Sequence, residues 1–134
     1  MSPAVIKRKL TFLIQYLQDL KKFENIGKKA FSKHHYEIER ILQLIVEVAC
    51  DMNAHLLSQR VEKPPSSYFE SFILLGRQGI ISQKLAEELA PSTGLRNALV
   101  HFYEGIEEEK VRKSIVLVLK YFPEYVREIK KNIK

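Results

Sequence analysis

The strongest constraint on the fold is a long apolar pattern in the second quarter of the chain. Between residues 32 and 59, apolar side chains recur every three or four positions, which is the spacing of one helix face. This stripe consists of Tyr36, Ile38, Ile41, Leu42, Ile45, Val48, Ala49, Met52 and Leu56. Leu44, Val46 and Leu57 lie off the stripe, and a helix that is apolar on more than one face is buried from more than one side. The second face suggests a partner helix beyond the protomer's own core, such as one from a second copy.

The same periodicity runs through most of the chain and predicts an all-α protein. The five Gly and five Pro residues fall between periodic segments, as expected of residues that interrupt helices. The predicted helices cover about residues 4–24, 32–59, 67–76 and 82–105, and a last helix begins near Glu107. We expect a single domain over residues 1–134, folded as an antiparallel bundle of four to five helices.

Local signals set the ends of these helices. A serine hydroxyl can accept a hydrogen bond from the free N–H groups of a first helical turn, and the predicted capping serines are Ser32, Ser67 and Ser82. Pro91, with Gly94 close behind it, predicts a bend or break in the fourth helix. Pro123 predicts a kink or split in the last helix.

Composition excludes some classes of protein. Cys50 is the only cysteine, so neither an intrachain disulfide nor a cysteine-based metal cluster can form, and we expect Cys50 to be a small buried apolar residue. No apolar run reaches the length of a membrane span, and the N-terminus has no secretory pattern, so we expect a cytoplasmic protein. The net charge of +6 is compatible with a polyanionic partner, RNA or DNA, without establishing one.

Three polar residues stand inside the apolar pattern of the fourth helix. Arg96, His101 and Tyr103 occupy the stretch Arg-Asn-Ala-Leu-Val-His-Phe-Tyr. At about 100° per residue, Tyr103 points nearly the same way as Arg96, whereas His101 lies about 140° away. The arginine and the histidine therefore do not converge on one regular helix. A second copy packed across a two-fold axis would bring one chain's Arg96 to the other chain's His101, so the spacing predicts a composite site in a homodimer.

These side chains suit phosphodiester transfer without a metal. His101 can take the proton of an RNA 2′-hydroxyl or give one to the leaving oxygen. Arg96 can hold the scissile phosphate and stabilise the transition-state charge, and Asn97, which shares the face of His101, can orient the phosphate or the imidazole. The products would be a 2′,3′-cyclic phosphate and a 5′-hydroxyl, so DNA is excluded as a cleavable substrate. The competing interpretation is a buried, hydrogen-bonded histidine with no catalytic role.

The stretch Gly94-Leu95-Arg96-Asn97-Ala98-Leu99-Val100-His101-Phe102-Tyr103 resembles the signature of the HEPN superfamily, in particular its HepT-like toxin ribonucleases. Their motif consists of Arg, four to six residues, His, one residue and Tyr. The resemblance extends over nearly the whole chain, including residues 39–55 and 67–80. Phe102 departs from the commonest pattern, in which an acidic residue is frequent, but that position is not expected to be catalytic.

The resemblance implies a homodimeric helical bundle whose motifs meet in a cleft at the dimer interface and cut RNA without a metal or cofactor. Arg96 and His101 are then the catalytic residues, and the resemblance includes Asp51 and His55 as supports of the cleft. It also implies a partner, a minimal nucleotidyltransferase antitoxin that neutralises the toxin and can transfer AMP to the motif tyrosine, here Tyr103. The added bulk and negative charge would block the phosphate site.

Two other clusters have plainer interpretations than a metal site. Glu47, Asp51 and His55 recur every four positions, but on a straight helix they span about 12 Å, which is too far for one metal ion. An ion-paired or cleft-lining row fits them better. His34 and His35 fit a solvated helix entry, because no cysteine or carboxylate cluster accompanies them.

The N-terminal third of the chain is strongly basic. Its basic residues fit an RNA-backbone footprint and an ordinary solvated face about equally well, and they are Lys7, Arg8, Lys9, Lys21, Lys22, Lys28, Lys29 and Lys33. Two rivals to the nuclease hypothesis remain. One is a non-catalytic helical homodimer that binds only RNA or the nucleotidyltransferase, and the other is a substrate-binding subunit for a nucleotidyltransferase enzyme.

Overall fold

The computed structural model describes residues 3–101 and 107–133, and this part of the chain is helical, without a strand. Its helices are α1 (Pro3–Lys21), α2 (Lys28–Leu57), α3 (Tyr68–Arg77), α4 (Gln83–Leu89), α5 (Ser92–His101) and α6 (Glu108–Lys131). The all-α bundle predicted from the apolar periodicity is therefore confirmed. Over the residues described, no helix is both long enough and apolar enough to cross a membrane.

The helix starts follow the predicted serine caps with one exception. The hydroxyls of Ser67 and Ser82 each accept the backbone N–H three residues further on, at 3.0 and 3.1 Å. The predicted cap at Ser32 is wrong, because α2 begins one turn earlier and the Ser32 hydroxyl donates to the Lys28 carbonyl inside the helix. The added turn buries Phe31, which is only 4% exposed, and burial of an aromatic ring stabilises that turn without a side-chain cap.

The two prolines predicted to interrupt helices behave differently. Pro91 separates α4 from α5, so the predicted fourth helix is divided in two at the expected break. Pro123 lies inside α6, which continues to Lys131, so this proline does not split the helix. Buried side chains precede and follow Pro123 on one face of α6: Val118, Phe122, Tyr125, Val126 and Ile129. Their packing offsets the roughly 3 kcal/mol that an interior proline costs.

Helix α2 lies at the centre of the bundle, in contact with α1, α3, α5 and α6. Val46 and Leu57, the off-stripe residues that suggested a partner helix, are both 0% exposed within one protomer. The chain's own helices therefore cover this second face, and these two residues do not require a second copy. Leu44 differs from them, because it remains partly exposed.

A buried polar network joins α2 to α3 and α6. Asn53 Nδ2 donates to Ser71 Oγ at 3.0 Å, and the Tyr125 hydroxyl donates to Asn53 Oδ1 at 2.6 Å. The same hydroxyl lies 3.1 Å from the carbonyl oxygen of Ala49. Among the described residues, every buried side-chain nitrogen and oxygen has a hydrogen-bond partner. Removal of the central amide would leave buried polar groups on two other helices with fewer partners.

We expect Asn53→Ala to lower the free energy of unfolding by about 2–3 kcal/mol, because it combines a lost buried hydrogen-bond network with a small cavity. Urea denaturation followed by circular dichroism measures this change. The matched control is Gln59→Ala, an exposed amide in the turn that follows α2, which should change the free energy by less than about 0.5 kcal/mol. Equal stability of Asn53→Ala and wild type would contradict a structural role for the network.

Candidate active site

The predicted site lies where α5 packs against α2. Arg96 on α5 faces Glu47 on α2, and its Nε donates to Glu47 Oε2 at 2.9 Å while Nη2 lies 2.8 Å from the same oxygen. The two side chains are only 20% and 27% exposed, so water screens this pair less than an ion pair on the open surface. Gln43, one turn before Glu47, donates its amide to Oε2 at 3.2 Å. The carboxylate that holds Arg96 is therefore itself held in place.

Two further contacts fix the guanidinium of Arg96. Its Nη1 donates to Asn97 Oδ1 at 3.2 Å, and its Cζ lies 5.1 Å from the ring centroid of Tyr68, within the range of a cation–π contact. A guanidinium has three nitrogens that carry five N–H donors in total. The contacts with Glu47 and Asn97 use one donor on each of these nitrogens. Donors on Nη1 and Nη2 are left over, which is the edge that an arginine uses to grip a phosphate.

His101 is the last residue of α5 and is exposed. Its imidazole makes no hydrogen bond or ion pair with any residue in the described ranges. The contacts of Arg96 in those ranges are to Glu47, Asn97 and Tyr68 and do not include His101. Within one protomer, then, the two predicted catalytic side chains share a helix but not a contact.

The other predicted site residues lie in three different situations. Asn97 touches Arg96, as described above. Asp51 lies one turn beyond Glu47, is exposed, and places Oδ2 at 3.6 Å from the Nζ of Lys9 on α1. Tyr103, the predicted point of modification, and its neighbour Phe102 lie outside the described residues.

Sequence analysis did not connect Gln43, Glu47 and Tyr68 with Arg96. Glu47 carried a usable signal, because it is the single carboxylate in the apolar run from Ile45 to Cys50, and a charge in such a run needs a partner. Nothing in the sequence pointed to Tyr68, which precedes Arg96 by more than two dozen residues and meets it only through the packing of α3 near α5.

The residues considered for a metal site contact charged or ionisable side chains instead. Glu47 pairs with Arg96 and Asp51 with Lys9, which agrees with the ion-paired interpretation of that row. His34 and His35 each lie beside a glutamate of α2, at 3.8 and 2.9 Å. Across residues 3–101 and 107–133, no group of three or more His, Cys, Asp or Glu side chains is placed to hold a metal ion.

Cys50 is buried behind this site, as predicted, at 3% exposure. Burial raises the pKa of its thiol from 9.0 to about 12, and a hydrogen bond with Ser71 opposes that rise without cancelling it. Burial also raises the pKa of Tyr125 well above its usual value of 10.0. Both groups are therefore protonated in the folded chain at a pH where the unfolded chain has begun to ionise.

These pKa shifts predict a loss of stability in alkali. Well below pH 9 both groups are protonated in either state, so their contribution to stability is complete. As the pH rises through 9 towards 12, the unfolded chain loses these protons first. We expect the free energy of unfolding to fall by up to about 1.4 kcal/mol per pH unit for each ionising group. Urea titrations between about pH 8 and pH 11 measure the slope. The Cys50→Ala variant should show a shallower decline between these limits, and an unchanged decline would contradict the assignment.

Comparison with known proteins identifies close relatives of this chain. The sequence profile of a family described as ribonuclease HepT-like matches residues 13–129. A tRNA nuclease HepT of Aphanizomenon flos-aquae is 42% identical over 130 residues, which cover 95% of this chain and 88% of that protein. An mRNA nuclease HepT of Shewanella oneidensis is 32% identical over 89 residues, which cover 66% of this chain and 67% of the other.

A solved structure has the same architecture over nearly the whole chain. It is a tri-AMPylated HEPN toxin of Shewanella oneidensis in complex with an MNT antitoxin. It superposes with a TM-score of 0.85 at 25% sequence identity, and the match covers 98% of this chain and 99% of that one. The fold of this chain is thus one already seen in a toxin bound to its antitoxin.

Proposed function

The chain belongs to the HepT-like ribonuclease family of the HEPN superfamily, and we propose from that membership that it is the toxin of a toxin–antitoxin pair. In this proposal it is an endoribonuclease that acts in the cytoplasm and cuts RNA without a metal. Its active site is shared between the two copies of a homodimer. A nucleotidyltransferase antitoxin neutralises it.

The observation that carries the proposal is the arrangement around Arg96. A guanidinium fixed by Glu47, Asn97 and Tyr68, with donors left over on its outer edge, is prepared for a phosphate and loses little freedom when one binds. An exposed histidine, His101, follows on the same helix. The 42% identical relative is named a tRNA nuclease, which supports RNA as the substrate class.

In the proposed reaction, His101 takes the proton from the 2′-hydroxyl of the RNA, and that oxygen attacks the adjacent phosphorus. The bond from phosphorus to the 5′-oxygen breaks, the leaving oxygen takes a proton from water, and His101 returns its own proton to the solvent. Arg96 stabilises the negative charge that develops on the phosphoryl oxygens. Asn97 supports the guanidinium, and Asp51, one turn from Glu47, supports the wall of the cleft through its pair with Lys9. The products are a 2′,3′-cyclic phosphate and a 5′-hydroxyl.

The surface of α5 supports the proposed homodimer. Among its ten residues only Thr93 is buried, while Leu95, Leu99 and Val100 remain partly exposed in the single protomer. Apolar side chains left half covered on a helix that carries the motif are suited to contact with a second copy. Such a contact places two motifs in one cleft, where the His101 of one chain can reach the Arg96 of the other.

Control of the enzyme is proposed to act through Tyr103. The antitoxin transfers AMP to the tyrosine hydroxyl, so that the hydroxyl oxygen forms a bond to the α-phosphorus of ATP and pyrophosphate leaves. The AMP attached to Tyr103 places a negative charge seven residues along the sequence from Arg96, and this charge competes with the substrate phosphate. The AMPylated toxin among the structural relatives supports this part of the proposal.

One observation favours a second candidate, a non-catalytic subunit that binds RNA or the nucleotidyltransferase. The charge of Arg96 is opposed by Glu47, and in the described part of the chain no group orients the imidazole of His101. The deciding experiment incubates the purified protein with RNA in EDTA. Cleavage to 2′,3′-cyclic phosphate ends supports the enzyme, whereas tight RNA binding without cleavage supports the binding subunit.

A further inference from the structure

A row of basic residues and one tyrosine leads along α2 to the site of Arg96. The spacing alternates between four and three residues, so the whole row lies on one face of the helix, and it consists of Lys29, Lys33, Tyr36, Arg40, Gln43 and Glu47. The last member, Glu47, holds Arg96, and Gln43 donates to that carboxylate. We call the first four members, Lys29, Lys33, Tyr36 and Arg40, the α2 track.

The side chains of the α2 track are exposed and their charges are not neutralised. Tyr36 is 79% exposed, and Lys29, Lys33 and Arg40 are all exposed. Over the described ranges, none of these three cations lies within ion-pair distance of a carboxylate. Glu37, which neighbours Lys33 and Arg40 along the helix, lies 3.8 Å from His34, and Glu39 lies 2.9 Å from His35. The track therefore carries three cations that form no ion pair within the described residues.

The tyrosine of the track is supported from behind. The ring centroids of His35 and Tyr36 are 4.0 Å apart with a 39° tilt, and His35 Nδ1 lies 2.9 Å from Glu39 Oε2. An aromatic ring that is both exposed and fixed by its neighbours loses little freedom when a flat ligand stacks on it. A nucleobase is such a ligand, and every base has a face that can stack on an aromatic ring.

We propose that the α2 track binds an unpaired segment of the RNA substrate and delivers the scissile phosphate to Arg96. Lys29, Lys33 and Arg40 contact backbone phosphates, and one base stacks on Tyr36. The track is about 16 Å long, and about 10 Å of helix separates its last member from Glu47, so a strand of a few nucleotides covers both. This inference rests on the proposed function for its substrate.

The charge part of the inference is tested by RNA binding in the His101→Ala background, which prevents cleavage during the measurement. A labelled single-stranded RNA is titrated against the protein at several salt concentrations. The triple variant Lys29→Gln, Lys33→Gln, Arg40→Gln should bind about 50-fold more weakly at 0.15 M salt, and its slope of log K against log salt should be shallower by about 2. The matched control removes three exposed cations elsewhere, Lys84→Gln, Lys130→Gln and Lys131→Gln. If the two triple variants lose RNA affinity equally, the track is not a specific RNA-binding surface and the inference is overturned.

The stacking part is tested at one position. Tyr36→Ala should weaken RNA binding by about 5- to 100-fold, as expected for the loss of one stacked base. Tyr36→Phe keeps the ring and should bind within about two-fold of the parent. If the alanine variant also binds within that range, the ring does not stack on a base and this part of the proposal is wrong.

Failure of the inference and failure of the proposed function give different results. If the wild-type protein does not cleave RNA, the proposed function is wrong, whatever the track does. If the wild-type protein cleaves RNA, the two triple variants bind RNA equally, and the same triples made with His101 intact cleave RNA equally, the track is wrong and the function stands. If the track triple variant instead changes the oligomeric state or loses the nucleotidyltransferase while RNA affinity is unchanged, the face is a protein interface and the inference is overturned.

Discussion

Replacement of His101 by alanine should reduce RNA cleavage in EDTA by about 10³-fold, while the fold and the affinity for RNA are retained. The expected loss is the usual contribution of one general acid–base group. His101 is exposed at the end of α5 and makes no described side-chain contact, so its removal costs the bundle little stability. Single-turnover cleavage of a labelled RNA measures the rate, and a thermal melt confirms the fold.

The control for this prediction is a histidine outside the site. His34→Ala removes an imidazole near the start of α2 that is half exposed and lies 3.8 Å from Glu37, and it should cleave RNA within about three-fold of wild type. The ends of the products give a second readout, because attack by the 2′-hydroxyl leaves a cyclic phosphate, whereas attack by water leaves none. Metal-dependent cleavage that survives His101→Ala, with linear phosphate ends, would show that the mechanism is wrong.

The parts of this fold that could be predicted are those set by local sequence. The apolar spacing gave the helices, because each amphipathic face must be buried, and Ser67, Ser82 and Pro91 marked boundaries through contacts within a few residues. The errors arose where tertiary packing outweighed a local preference. Burial of Phe31 extends α2 past Ser32. Of the kink or split predicted at Pro123, the buried face of α6 excludes the split.

The site could be predicted only in part for the same reason. The motif names Arg96, but the groups that hold it come from α2 and α3, and no local pattern links an arginine to a glutamate 49 positions earlier. The second apolar face of α2 suggested a helix from a second copy. An apolar pattern shows that a face is covered, but it does not identify the helix that covers it. The chain itself buries Val46 and Leu57, so they do not indicate a second copy. The surface suited to a second copy is on α5, whose apolar residues remain half covered.

A mixture of two inactive variants should recover activity if the site is shared between chains. Arg96→Ala and His101→Ala are each expected to lose at least about 10²-fold in cleavage rate. In a mixed dimer, one of the two composite sites contains the intact Arg96 of one chain and the intact His101 of the other. Random exchange makes half of the dimers mixed, each with one good site of two, so about a quarter of the wild-type rate should return.

The same arithmetic gives the opposite result for a site contained in one chain. Each protomer of the mixed dimer then carries one defect, and no site is complete. The two variants carry different affinity tags and are mixed under conditions that allow subunit exchange. The doubly tagged dimer is then purified and assayed; because every such dimer is mixed, a shared site should give it about half of the wild-type rate. The control mixes His101→Ala with the double variant Arg96→Ala, His101→Ala, which has no intact histidine and should stay inactive. Recovery of RNA cleavage in the first mixture alone supports the shared site. If doubly tagged dimers do not cleave RNA, both catalytic residues of a site must come from one protomer.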